Sequence, residues 1–320
     1  LNRHNSEKKQ RKKIASSRAK SPKPKAFLLG FLLVLVGIFG IMYNPSSSTH
    51  RAAWEVSEAG VLSFPEREEP VFTAQEIKDT YAPENPDILK LVSFESKGQN
   101  IQALLRIPSN SSAVPGIVLL PGAGVTKEGE QGLAVELSKM GYVTLTLDQR
   151  DLAHINMEKD LELFKAGLEP VEYLMVYDAL KASDVLAAQT EINKDKLAIL
   201  GESNGGRFAL TACALNPALK GVIGISTSGY DSENIDPATD AEVIRFSHSV
   251  DPDTYLPNLP PAKLVLIHSL NDPVIPYEMA EKTFALAKEP KTMYNVTEGT
   301  HGYMASMQPF LEKELATILS

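Results

Sequence analysis

From residue 90 onward, short apolar runs alternate with longer stretches that repeat apolar residues at helical spacing. The runs predict strands at 90–95, 101–107, 116–120, 142–147, 196–200, 221–226, 263–268 and 291–296. The first two are separated by Lys97-Gly98-Gln99-Asn100, a hairpin signal. Helices are predicted at 130–140, 170–189, 204–215, 276–287 and 303–319; the first carries Leu133, Leu137 and Met140 on one face and stops at Gly141. Strands that are apolar throughout and alternate with helices of this length build a parallel sheet covered on both faces. The prediction is therefore an α/β fold with an eight-stranded, mostly parallel sheet and one antiparallel edge. Residues that act on a ligand belong at the carboxyl ends of its strands.

The N-terminal part has a different pattern. Residues 26–43 carry no charge; as a helix at about 1.5 Å per residue they would span roughly 27 Å, close to the thickness of a hydrocarbon core. Gly30, Gly37 and Gly40 are tolerated in membrane spans. A cleaved signal peptide has a shorter apolar stretch followed by an A-x-A site, whereas Pro45-Ser46-Ser47-Ser48 comes next here. The expectation is an uncleaved transmembrane signal anchor. Residues 44–89 read as a juxtamembrane linker and N-terminal extension, and residues 90–320 as the catalytic domain.

Charge sharpens that division. The chain has 320 residues, 32 basic and 40 acidic, for a net charge of -8. Ten of the basic residues and one acid, Glu7, fall within residues 1–25, so this tail carries +9 and the remaining 22 basic and 39 acidic residues carry -17. Lys and Arg before a span place the N-terminus in the cytoplasm and the chain beyond the span outside. The tail contains no aromatic residue for stacking on bases and the rest is acidic, which argues against a nucleic-acid partner. Hydrophobic content of 43% excludes a disordered chain. One cysteine, Cys213, excludes an internal disulfide and a cysteine-clustered metal site.

The chemistry begins at Gly201-Glu202-Ser203-Asn204-Gly205-Gly206, between a predicted strand and a predicted helix. G-x-S-x-G in that context lifts a serine hydroxyl above the sheet beside a helix N-terminus. A serine needs a base to take its proton. Of six histidines, His301 is the candidate: it comes after the last strand in Glu298-Gly299-Thr300-His301-Gly302. His4 and His50 flank the apolar segment, His154 and His248 lie in loops, and His268 ends a strand. Asp272, after the 263–268 strand, is the candidate to orient the imidazole. The oxyanion donors are expected from the backbone N–H groups of Ala123, in Pro121-Gly122-Ala123-Gly124, and Asn204. This chemistry calls for no metal and no organic cofactor.

The segments VLLPGAG, LDQR, ILGESNGG, LIHSLNDPVIP and GTHGY, in this order, resemble the α/β-hydrolase superfamily, in particular its serine-type dienelactone-hydrolase-like and prolyl-oligopeptidase-like branch, over about residues 90–320. Two positions depart from the family pattern: Pro121 stands where a histidine is usual, and Ser269 where a glycine is usual. The resemblance implies that Asp148 and Arg150 brace loops beside the site. It also implies that residues 229–259 form either a cap over the site or a solvated surface loop. The function expected is a membrane-anchored serine hydrolase that cleaves an ester or related acyl bond of a small-molecule substrate through Ser203, His301 and Asp272. The rival readings are a serine peptidase of the same fold and a non-catalytic surface-binding protein that retains it.

Overall fold

The computed structural model describes residues 53–109 and 112–320. A short ribbon comes first, with β1 (Glu55–Val56) paired antiparallel to β2 (Leu62–Ser63). The main sheet consists of β3 (Phe72–Ile77), β4 (Ile88–Ser96), β5 (Gln99–Ile107), β6 (Val114–Leu120), β7 (Val143–Leu147), β8 (Ile192–Glu202), β9 (Leu219–Ile225), β10 (Lys263–Ser269) and β11 (Lys291–Val296). Its spatial order is β11-β10-β9-β8-β6-β7-β5-β4-β3. Strands β6 to β11 run parallel, and β5, β4 and β3 add an antiparallel edge. Seven helices accompany them among the described residues: α1 (Gln131–Lys139), α2 (Met157–Lys165), α3 (Val171–Ala187), α4 (Ser203–Leu215), α5 (Ala241–Val250), α6 (Tyr277–Leu286) and α7 (Gln308–Ile318).

The unbroken apolar runs are explained by two cores, one on each face. Val118 and Leu120 of β6 pack with Met175 and Ala179 of α3 and Phe208 of α4. The alternate residues, Ile117 and Leu119, pack with Leu133 and Leu137 of α1 and Leu311 and Leu315 of α7. Side chains alternate between faces along a strand, so both sets must be apolar when both faces are covered. Each of the larger of these side chains contributes roughly 1.5–3 kcal/mol on burial.

The sheet has nine strands where the sequence pattern predicts eight. The additional strand, β3, pairs with β4 from Phe72↔Phe94 to Ile77↔Leu89. Its inner residues Thr73, Ala74, Gln75 and Glu76 are exposed, so backbone pairing rather than side-chain burial places it, and hydrophobic spacing carries no signal. The last helix begins at Gln308 rather than at 303; Pro309 sits in its first turn, a position that suits proline. Helices α2 and α5 are further additions. Phe164 of α2 and Phe246 and Val250 of α5 form a satellite core with Leu62, Tyr173 and Tyr255. Residues 229–259 thus fold into α5 and two 3-10 turns, Ser232–Asn234 and Pro252–Asn258.

The expected transmembrane segment, residues 26–43, lies outside the described residues. Among the described residues no helix is long and apolar enough to cross a membrane.

Arg106 of β5 ties the edge to the core. Its side chain is fully buried and donates to Asp79 at 2.6 Å, to Asp87 at 3.2 Å and, through two nitrogens, to Gln131 Oε1. Burial opposes ionisation of Asp79, but the Arg106 hydrogen bond and the Tyr81 and Ala82 amides outweigh it and hold the carboxyl below its usual range. Truncation leaves two carboxylates without their cation, and removing one partner from a buried pair costs about 3–5 kcal/mol. Arg106→Ala is therefore expected to lower the urea midpoint by the equivalent of that loss, read by fluorescence or circular dichroism; an unchanged midpoint would contradict the pairing.

Candidate active site

The site is assembled by strand register. Leu120, the last residue of β6, pairs with Gly201 of β8. Glu202 pairs with Ile225 of β9, Ile225 with Ile267 of β10, and Ser269 of β10 with Val296 of β11. The loops after these strands therefore emerge side by side at the carboxyl ends of the parallel strands.

Ser203 comes directly after β8 and opens α4 with φ 50°, in the left-handed region. An L-residue pays about 1–2 kcal/mol there because its Cβ crowds the following carbonyl. Two glycines make the sharp turn fit. A Cβ on Gly201 would lie 2.3 Å from the Gly205 carbonyl oxygen. A Cβ on Gly205 would lie 2.3 Å from the carbonyl oxygens of both Leu120 and Pro121. The turn is pinned by Thr227, whose hydroxyl donates to the Ser203 carbonyl at 2.7 Å.

Asp272 and His301 are brought together. Asp272 is in the loop after β10 and its side chain is fully buried, whereas the His301 side chain is 22% exposed. His301 Nδ1 lies 3.0 and 2.9 Å from the two Asp272 oxygens. Asp272 Oδ1 also accepts the Val274 and Ile275 N–H groups at 2.8 and 3.0 Å. Burial works against the charged carboxylate, but the His301 hydrogen bond and these two amides prevail and hold Asp272 below its usual range. With Nδ1–H given to a carboxylate, the free lone pair of a neutral His301 is on Nε2. Among the described hydrogen bonds none joins His301 to the Ser203 hydroxyl.

The amides proposed for the oxyanion are available. The Ala123 N–H has no backbone or side-chain acceptor among the described residues. Asn204 stands in the first turn of α4, where a helix supplies no carbonyl for its N–H. Gly122 is stacked against the Ser203 turn; a Cβ there would lie 3.4 Å from Ser203 Cβ.

Several of the other histidines and charged residues have structural partners. His268 Nε2 lies 2.8 Å from the Ile275 carbonyl, and burial lowers the pKa of the ring, so it stays neutral and steadies the Asp272 loop. His154 Nδ1 binds the Asp151 carbonyl at 2.7 Å, and His248 is on α5. Asp148 accepts both the backbone N–H and the ammonium of Lys127. Arg150 holds Asp178 at 2.6 Å and the Ser96 carbonyl at 2.6 Å. Cys213 is buried, and burial raises its thiol pKa. Among the described residues no cluster of three or more His, Cys, Asp or Glu side chains is arranged to hold a metal ion.

Sequence reasoning misses a brace beside the site. Asp151, Leu152 and Ala153 have φ values of 46°, 49° and 58°, a left-handed run with no glycine to announce it. The Leu152 carbonyl accepts the Gly124 N–H at 2.8 Å, and the Ala153 carbonyl accepts from Asn204 Nδ2 at 3.0 Å. This turn thereby links the Ala123 loop to the first turn of α4. Arg207 completes the link with bonds to Asn204 Oδ1 at 2.6 Å and the Ser228 carbonyl at 2.9 Å.

Two family models match the chain in sequence. One, acetyl xylan esterase (AXE1), covers residues 77–228, and the other, the prolyl oligopeptidase family, covers residues 171–309. The uncharacterized protein YfhR of Escherichia coli O157:H7 is 27% identical over 134 residues, 41% of this chain and 47% of that protein. The matched region thus spans about half the length of that curated relative. In structure the chain is similar to acetyl xylan esterase 1 from Thermoanaerobacterium sp. JW/SL YS485, with TM-score 0.66, 14% identity and coverage of 79% of this chain and 89% of that one. It is also similar to a glucuronoyl esterase from Solibacter usitatus, with TM-score 0.62, 13% identity and coverage of 84% and 90%.

Gly205→Ala is the direct test of the turn. Two backbone carbonyls would have to move, so the loss should exceed the about 1–3 kcal/mol usual for overpacking. Thermal unfolding is expected to show a clear drop in midpoint; a wild-type midpoint would contradict the close approach.

Proposed function

We propose that this member of the α/β-hydrolase superfamily is a serine hydrolase that cleaves an ester or related acyl bond of a small-molecule substrate. The observation that carries the proposal is the Asp272–His301 pair, delivered to the same end of the sheet as a serine in a left-handed strand-to-helix turn. Ser203 Oγ attacks the acyl carbonyl while His301 Nε2 takes its proton. The carbonyl oxygen becomes an oxyanion facing the Ala123 and Asn204 amides. Collapse expels the alcohol, which takes the proton from His301 and leaves an acyl-enzyme on Ser203. Water then repeats the sequence in reverse roles and releases the acid. Asp272 keeps the proton on Nδ1 and stabilises the imidazolium formed in each half.

The esterase names of the AXE1 model and of the similar structures favour an ester over a peptide. The prolyl oligopeptidase match over residues 171–309 keeps amide cleavage as the second reading. The full chain in detergent should hydrolyse p-nitrophenyl acetate and bind a fluorophosphonate probe covalently, and Ser203→Ala should do neither. Asp272→Asn should lower kcat by roughly 10⁴-fold and His301→Ala by about 10⁶-fold, with little change in KM. Hydrolysis of peptide anilides without ester turnover would select the peptidase reading. No labelling and no turnover would leave only a binding role.

The reading includes a membrane anchor at residues 26–43, with residues 1–25 cytoplasmic and the hydrolase outside. Its support is the uncharged segment and the basic tail before it. A C-terminal reporter that folds only outside the cytoplasm is expected to be active in the membrane fraction. Activity of a reporter that works only in the cytoplasm would overturn the orientation.

A further inference from the structure

Glu202 precedes the nucleophile, yet its side chain serves the histidine loop. Oε1 accepts the Tyr303 N–H at 3.1 Å, and a Cβ on Gly302 would lie 3.0 Å from Oε2. The carboxylate is therefore seated against the two residues after His301. The Gly302 N–H is anchored as well, donating to Ser226 Oγ at 3.0 Å.

Behind Glu202 lies a second carboxyl group. Glu130, the residue before α1, is 6% exposed, and its carboxyl group neighbours that of Glu202. Two carboxyl groups share a hydrogen bond only when one of them carries a proton. Glu202 is the charged group that acts on Glu130. The groups around Glu202 are Glu130, the Tyr303 amide and the His301 ring, and the half-buried Tyr303 phenol senses Glu136, Glu202 and Glu312. Burial first, and then the negative charge of Glu202, push Glu130 up to about 8. Burial raises Glu202 as well, against the lowering effects of the Tyr303 amide, the Glu130 hydrogen bond and His301.

The geometry points to Glu202 as a positioning residue for His301, kept in place by one proton that it shares with Glu130. This rests on the reading of Ser203 and His301 as nucleophile and base. With the proton present, Glu202 is an anion that holds the Tyr303 N–H and favours the imidazolium that forms as Ser203 attacks. Glu130 donates its O–H to Glu202. Loss of that proton places two carboxylates side by side in a buried space, and their repulsion is relieved by moving Glu202 away from the loop. The enzyme therefore has an alkaline limit that originates one layer behind the triad.

The test is the pH profile of p-nitrophenyl acetate hydrolysis by the full chain in detergent, from about pH 6 to about pH 10, corrected for spontaneous hydrolysis. Wild-type kcat/KM is expected to fall above about pH 8 as Glu130 ionises. Glu130→Gln, whose amide donates to Glu202 at every pH, should lose that fall when each profile is scaled to its own value near neutrality. Glu130→Leu also removes the shared proton and should flatten the same limb if the glutamine variant does not fold. Glu202→Gln should lower kcat about 10–100-fold with KM little changed, the size of effect expected when a reacting group is misplaced. A Glu130→Gln profile that keeps the wild-type alkaline fall, or a Glu202→Gln enzyme with wild-type kcat, would overturn the proposal.

Melting temperature read against pH tests the pair without activity. A carboxyl whose pKa is raised on folding gives stability that is present below its ordinary range and lost as pH rises through about 8. The wild-type melting temperature should therefore drop across that window, and that of Glu130→Gln should not. That difference without ester hydrolysis would support the pair and remove the esterase reading. Ester hydrolysis with identical melting curves and pH profiles would remove the pair and keep that reading.

Discussion

The site depends on one close backbone approach. Gly205, in the first turn of α4, lies so near the end of β6 that a single Cβ would meet the Leu120 and Pro121 carbonyls at 2.3 Å. That contact draws the helix onto the sheet and forces the chain between β8 and α4 into a sharp bend. Ser203 occupies the bend in a conformation that costs energy. The sheet supplies what offsets it: β8 is paired on both sides, to β6 and to β9. The same approach sets the Pro121–Gly124 loop against Ser203, so Ser203 and the Ala123 and Asn204 amides are positioned by one packing event.

The other components arrive through separate constraints that converge on that bend. Asp272 is held by the Val274 and Ile275 amides. The left-handed run Asp151–Ala153 bridges the Ala123 loop to Asn204, and Arg150 anchors the run's start to buried Asp178 and to the end of β4. The His301 loop is fixed from the Ser203 side, through Glu202, as well as from the Asp272 side. Buried polar groups of this kind rigidify a site when each has its partner and weaken it when one is removed.

Much of this arrangement is legible in the sequence. Unbroken apolar runs identify the parallel strands because both faces of the sheet are covered. Gly201, Ser203 and Gly205 identify the bend because no other residue type fits the glycine positions. The pairing of Asp272 with His301 is implied by chain order and strand ends. The features that escape are fixed by backbone or by distant partners. Strand β3 offers polar side chains to solvent and is placed by its hydrogen bonds to β4. Asp151–Ala153 adopts left-handed geometry without glycine. Glu130 meets Glu202 only after α1 and β8 have packed, across a separation no local pattern records. Residues 229–259 contain Phe246, Val250 and Tyr255, whose destination is the satellite core around Leu62, Phe164 and Tyr173, and nothing in their own spacing names that core.

The most direct measurement is a crystal structure of the chain after reaction with a small phosphonate ester. Phosphorus is expected to be bonded covalently to Ser203 Oγ, with the phosphonyl oxygen within about 2.7–3.1 Å of both the Ala123 and Asn204 nitrogens and with His301 still on Asp272. An adduct at another residue, or a phosphonyl oxygen turned away from those two amides, would contradict it.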